Sequence, residues 1–364
     1  MPVATTRFFK GLPAKGVTSA FKSIRKTSHF VDVGGNGDCG VRAIAAGIIS
    51  KVLFEQRSTP ELAALLSKHF EYFPEQKPRL PLATPAEQLE CMTEKGKMAT
   101  AIQSLAYTIR QLAVDEMVAN PAHYRGAFVG NEAMPTSPEA MRLPTTWIDE
   151  SVIAAAAKAT GFPINVRVVS EGKELPMRLH YSAKKETSVT PLVIQLQNKH
   201  YIPSVHHPAP FQAVKSGHMH RVEPRQIAKN DPNLEEVLAK IEREDKRLLK
   251  EFEDTKRRLT AAVEVDGAPK ELLLNIYIEG LKKSDYLQGY VGIEHGSEDF
   301  FKAIKDVNGE LEVVRSELDN PDQHFTKQLI HAIARAVTIN HLDASEVFEK
   351  IESALSDKRV SAHV

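Results

Sequence analysis

A single cysteine stands at the junction of two unlike segments. Before Cys39 run the small and polar residues Gly34, Gly35, Asn36, Gly37 and Asp38; after it Val41, Ile44, Ala45 and Ile48 recur at three- and four-residue intervals. That spacing marks an apolar helix face, so the thiol heads a helix. A thiol attacks as the thiolate, and the unpaired backbone N–H groups and dipole of a helix start stabilise negative charge there. The glycines let the backbone fold closely enough for the N–H groups around Gly37 and Asp38 to converge on a developing oxyanion.

Such a nucleophile needs a base, and histidine is matched to neutral pH. Of fourteen histidines, His200 is best placed, at the end of an expected core strand, "PLVIQLQ", where a rigid scaffold can hold an imidazole against a helix-start thiol. His206 and His207 follow within a turn. With His218 and His220 they invite a metal reading, but no cysteine or carboxylate accompanies them at ligand spacing, so neither metal nor cofactor is expected. Cys91, in a charged helical context, reads as a structural thiol.

The elements that must bring Cys39 and His200 together are helices, then strands. Thr59-Pro60 and Thr84-Pro85 each read as an N-cap followed by proline in the first turn. Leu62, Leu65, Leu66, His69, Phe70 and Phe73 form one helical face; Met98, Ile102, Leu105, Ile109 and Leu112 form another, stopped at Asn120-Pro121. Pro121 to Pro144 reads as loop, and Trp147 as core packing. A helix after Glu150 ends at Gly161, followed by the alternating Ile164, Val166 and Val168 of a strand. Residues 209–232 are linker-like. From Asn233 the chain is helical, with Leu234, Leu238, Ile241, Leu248, Phe252 and Leu259 near coiled-coil spacing, interrupted by Asp245 and Thr255.

Composition narrows the classes. The 364 residues carry 47 basic and 47 acidic side chains, a formal net charge of zero, which argues against a dedicated nucleic-acid binder. No apolar run approaches the roughly 18 residues of a membrane span. Two cysteines make no disulfide framework and suit a reducing cytosol. The leader, residues 1–29, has Arg7, Lys10, Lys15, Lys22, Arg25 and Lys26 without an acidic partner and reads as a flexible basic arm.

Taken in order, loop-cysteine-helix, then helix-strand, then strand-histidine, the chain resembles the ovarian tumour (OTU) family of papain-like cysteine proteases. Asn36-Gly37-Asp38-Cys39 stands where the family has Asp-Gly-Asn/Asp-Cys; Trp147 with Glu150 resembles its middle element, and His200-Tyr201 its histidine followed by an aromatic residue. The resemblance spans roughly residues 30–207. Helices followed by strands already make the fold α/β (α+β), and the resemblance implies a papain-like OTU domain over residues 30–208 with a helical insertion at about 51–146; it says nothing of the C-terminal third, where helical periodicity alone predicts an all-α accessory domain at 233–364. The resemblance also implies a deubiquitinating activity without cofactor, cutting after the C-terminal Gly-Gly of ubiquitin, with ubiquitin or polyubiquitin as partner. On that reading Cys39 is the nucleophile, His200 the general base and acid, and the backbone at Gly37 and Asp38 binds the oxyanion. One position departs from the pattern: two residues after the histidine, where the family places aspartate or asparagine, stands Ile202, which accepts no hydrogen bond. Asn36 can orient the imidazole instead; Asn198 and a bare Cys-His dyad stay open.

The long insertion is similar to those of OTU enzymes that intracellular bacteria, Legionella in particular, deliver into host cells. The tail, with Glu346, Glu349 and Glu352, resembles the glutamate-rich translocation signals of such effectors, though an ordinary amphipathic helix reads the same way. This implies secretion into the host cytoplasm, with the C-terminal helices meeting a host protein or membrane. A different class competes: a catalytically idle ubiquitin-binding or adaptor protein on an OTU scaffold, in which Ile202 marks decay. A papain-like acyltransferase or amidase is a third reading.

Overall fold

The computed structural model describes residues 28–35, 37–80, 82–94, 96–129, 136–147, 150–170, 172–183, 189–216, 223–269, 272–277, 323–338 and 342–361. Nearly all of the basic leader, His218 and His220 lie outside them, as does Asn36. In chain order the elements are β1 (His29–Phe30), α1 (Cys39–Glu55), α2 (Pro60–Tyr72), a 3-10 turn (Pro74–Gln76), α3 (Pro85–Thr93), α4 (Met98–Ala119), α5 (Arg125–Phe128), α6 (Pro138–Arg142), α7 (Glu150–Thr160), β2 (Ile164–Ser170), β3 (Lys173–Tyr181), β4 (Leu192–Gln197), β5 (His200–Val205), α8 (Pro208–Ser216), α9 (Leu234–Glu264), α10 (Gln323–Thr338) and α11 (Ala344–Ser361). The architecture is mixed α/β. The chain divides into two compact units, one of residues 1–116, 139–173 and 183–230, the other of 117–138, 174–182 and 231–364.

In the first unit four strands run in the order β1-β5-β4-β2. β4 lies parallel to β2, with Ile164 opposite Leu192, and antiparallel to β5, with Gln197 opposite His200. Between β4 and β5, Asn198 and Lys199 both take positive φ, 51° and 62°, a two-residue hairpin turn whose twist matches the strands it joins. His200 therefore opens β5 rather than closing β4, as the sequence had suggested. β1 completes the edge, pairing His29 with Val205 and Phe30 with Ser204.

Helix α1 is buried on nearly every side, from Cys39 through Val52, instead of along the single face expected. No charged side chain stands between Ala43 and Ser50, and a helix apolar all round has only the interior to occupy. It packs on β4 and β5. The proline-led helices start as their sequences require: the Thr59 hydroxyl accepts from the Leu62 N–H, and Thr84 and Glu87 form a reciprocal capping box. In α2, Leu62, Leu65, Leu66, His69 and Tyr72 are buried, each large apolar side chain stabilising the unit by roughly 1.5–3 kcal/mol. Residues expected as linker include α8, whose Phe211 and Val214 are buried.

The second unit takes residues 117–138 and 174–182 from inside the stretch expected as catalytic domain. Beyond Asn233 its described regular elements are all helices. Asn233 and Glu236 cap α9 reciprocally. The buried stripe of α9 is Val237, Ile241, Thr255, Leu259 and Ala262, so Thr255, read as a break, lies within it while Leu238 stands exposed. Its C-terminal half joins Leu329, Ile333 and Val337 of α10 and Val347 and Ile351 of α11 in one core. Asp245, the other break, pairs with Arg125 at 2.5 Å.

Candidate active site

The sheet brings the pieces of the site to one edge. Pairing of β1 with β5 continues one residue beyond β1, where the Val31 N–H donates to the Pro203 carbonyl at 3.1 Å. Asp32 follows at once. Its Oδ1 lies 2.9 Å from Nε2 of His200 and also accepts from the Gly34 N–H at 2.8 Å. Both side chains are about one-third exposed, 30% for Asp32 and 32% for His200. A carboxylate only accepts, so the ring donates from Nε2, the tautomer in which a neutral imidazole carries its lone pair on Nδ1.

The carboxylate that meets His200 is thus one that sequence reasoning passed over. Asn36, the expected candidate, lies outside the described residues, and Ile202 sits in β5 opposite Gln195. Asp32 precedes His200 by 168 positions and comes from the neighbouring strand end. The only local signal was an aspartate closing the alternating "HFVDV" ahead of the glycines, too common a pattern to single out.

From Asp32 the chain curls over the start of α1. Gly35 has φ +115°, and a Cβ there would stand 2.8 Å from the Cys39 nitrogen and 3.0 Å from its Cα. Only glycine lets the loop lie this close. Cys39 is the first residue of α1 and is 6% exposed. The loop that carries the carboxylate held to His200 therefore ends on the thiol itself, seven residues on.

Asp38 occupies the N-cap position of α1 yet makes no side-chain cap bond. Its carboxylate turns instead to Arg110 of α4, with Nη2 at 2.5 Å from Oδ1, while Oδ2 accepts from the Thr145 N–H at 3.0 Å. Arg110 is 1% exposed. Burial pushes its pKa down, and the Asp38 charge and hydrogen bond push it back up. The segment these bonds hold leads to Trp147, which is 52% exposed and not the core residue expected; the preceding Thr146 gives its N–H to Leu143 and its carbonyl to Arg110, and the indole is left outside.

The other candidates serve elsewhere. Burial, and then the carboxylates of Glu94, Glu90 and Glu87, push the Cys91 thiol pKa up, which disfavours a nucleophile. His206 stacks on Phe54 with ring centroids 4.0 Å apart, and burial lowers its pKa.

No family model matches the chain, and no curated protein matches it. Among solved structures it is similar to h/ceOTUB1 in a complex with ubiquitin aldehyde and UBCH5B~Ub, at a TM-score of 0.33 and 17% identity over 51% of this chain and 81% of that one. It is also similar to h/ceOTUB1 with ubiquitin aldehyde and UBC13~Ub, at a TM-score of 0.31 and 17% identity over 47% of this chain and 73% of that one.

Proposed function

We propose that the chain is a cysteine hydrolase of the OTU type that cleaves the bond after the C-terminal Gly-Gly of ubiquitin. The observation that carries this is the Asp32–His200 hydrogen bond of 2.9 Å, made by the same glycine loop that delivers Cys39 to the start of α1. In this reading Asp32 holds Nε2–H, and the His200 Nδ1 takes the Cys39 proton. The sulfur attacks the glycine carbonyl, and backbone N–H groups beside Gly37 and Asp38 bind the oxyanion as the tetrahedral intermediate forms. His200 then protonates the departing lysine amine, and the C–N bond breaks to leave a thioester. Water, deprotonated by the same imidazole, releases the ubiquitin carboxylate and regenerates the thiol. The long helical insertion and the glutamate-rich tail, with Glu346, Glu349 and Glu352, support an enzyme that a bacterium delivers to host cytoplasm, which reporter translocation assays on the full chain would test.

A ubiquitin probe with a C-terminal electrophile tests the chemistry. The expected result is one adduct on Cys39 by peptide mapping, lost in Cys39→Ala, a variant that keeps its fold because the side chain removed is small. Folded protein that forms no adduct under reducing conditions would overturn the reading. The burial of Cys39 favours a second one, a ubiquitin-binding protein without turnover; it requires binding unchanged by Cys39→Ala and no chain cleavage at any protein concentration.

A further inference from the structure

Four backbone and side-chain groups around the nucleophile loop converge on one guanidinium that comes from far along the chain. Nη2 of Arg110 donates to the Gly37 carbonyl at 3.0 Å, to Asp38 Oδ1 at 2.5 Å and to the Thr146 carbonyl at 2.8 Å. Nη1 donates to the Met141 carbonyl at 2.9 Å. The groove is tight: Gly37 has φ +79°, and a Cβ there would stand 1.9 Å from the Thr145 oxygen. No other residue could let the loop dock on residues 145–146.

Stability alone gives a weak account of this arrangement. Taking a guanidinium and a carboxylate out of water costs about as much as their attraction returns, and well-packed apolar residues often do as well. A helix cap on α1 would contribute about 1 kcal/mol, and Asp38 forgoes it. The bonds do settle a direction. The peptide linking Gly37 to Asp38 is trans, as are all the described peptides, and a trans peptide points its N–H opposite to its C=O. Holding the Gly37 carbonyl on Arg110 turns the Asp38 N–H away from α4. Turning the Asp38 carboxylate aside keeps it from accepting bonds from the first-turn N–H groups that follow Cys39.

We propose that Arg110 is a positioning residue for the oxyanion-binding backbone: it locks the orientation of the Gly37–Asp38 peptide and keeps the Asp38 carboxylate off the start of α1. The role rests on the hydrolase reading and assigns the insertion helix α4 a part in the chemistry itself, by way of the loop and without touching substrate.

The test uses the full chain and three measurements: turnover of a fluorogenic ubiquitin C-terminal amide, alkylation of Cys39 by iodoacetamide, and thermal unfolding. Alkylation displaces iodide without an oxyanion, so it reports the thiol and not the N–H groups. In the paired variant Arg110→Met with Asp38→Asn, which leaves no buried charge unpaired, kcat should fall about 100-fold, the scale of a lost oxyanion donor, with KM and alkylation rate each within about threefold of wild type. Arg110→Lys keeps a charge for Asp38 but cannot fork across the carbonyls; it should fold even if the paired variant does not, and lose about tenfold or more in kcat. Wild-type kcat in either folded variant overturns the proposal, as does a parallel fall in kcat and alkylation. A wild-type chain that never turns over ubiquitin amide defeats the hydrolase reading first, and this role with it.

Discussion

The first unit holds two imidazoles in opposite settings. His200 is one-third exposed and faces a carboxylate. His69, on α2, is fully buried: its Nδ1 meets the Thr108 hydroxyl at 2.9 Å, and its Nε2 meets the Gln76 side-chain oxygen at 3.1 Å. Gln76 is tied in turn by the Ser104 hydroxyl. Burial lowers the His69 pKa to about 4, and the hydrogen bond to Gln76 offsets only part of that. The difference teaches that burial among neutral partners holds His69 uncharged as a structural residue, whereas a carboxylate beside a solvent-reachable ring is the setting that the proposed proton transfers at His200 require.

The largest effect should come from breaking the exposed member. His200→Ala should reduce turnover of a ubiquitin amide by about 10⁶-fold, because the proposed mechanism routes every proton transfer through its imidazole; a stopped assay at high enzyme concentration will read it. Asp32→Asn should cost less than removing the imidazole, on the order of 10⁴-fold in kcat, since it disturbs tautomer and orientation while leaving the base in place. Steady-state kinetics of the two variants side by side rank them, and equal rates for Asp32→Asn and wild type would show that the pair is not functional.

The buried member should announce itself in stability. As pH falls, the unfolded chain takes up the His69 proton near 6.5 while the folded chain resists until about 4. Stability from this residue is therefore complete above pH 6.5, declines between 6.5 and 4, and levels off below. The loss amounts to about 3 kcal/mol at 1.36 kcal/mol for each unit. Urea unfolding at pH 7.5 and 4.5 should show the wild type's advantage over His69→Gln shrinking at the lower pH, with kcat at neutral pH alike in both. The smallest effect belongs to the exposed indole that follows Thr146: Trp147→Ala should raise KM a few-fold and leave kcat within about twofold, the pattern of lost uniform binding.

Legibility followed distance along the chain. The helix start at Cys39, the proline-led caps at Thr59 and Thr84 and the alternation of β2 were all readable, because each is decided within one turn or a few residues. His200 was read as a strand residue but assigned to the wrong strand, since two positive-φ residues without glycine gave no turn signal. Trp147 was misplaced because exposure depends on what the rest of the molecule covers.

By itself the sequence determined that a thiol would open a helix behind a glycine loop, with helices before strands and a charged helical region after them, for those are consequences of local backbone preference and periodicity. Only the tertiary structure decided that Asp32 would meet His200 and that Arg110 would grip the Gly37–Asp38 peptide. Those partners are 168 and 72 or more residues apart, and nothing in the spacing of a carboxylate or a guanidinium says which backbone it will face once β1 pairs with β5 and α4 packs against the loop. Partner choice across such separations is set by the free energy of packing the whole unit, and no single segment carries it.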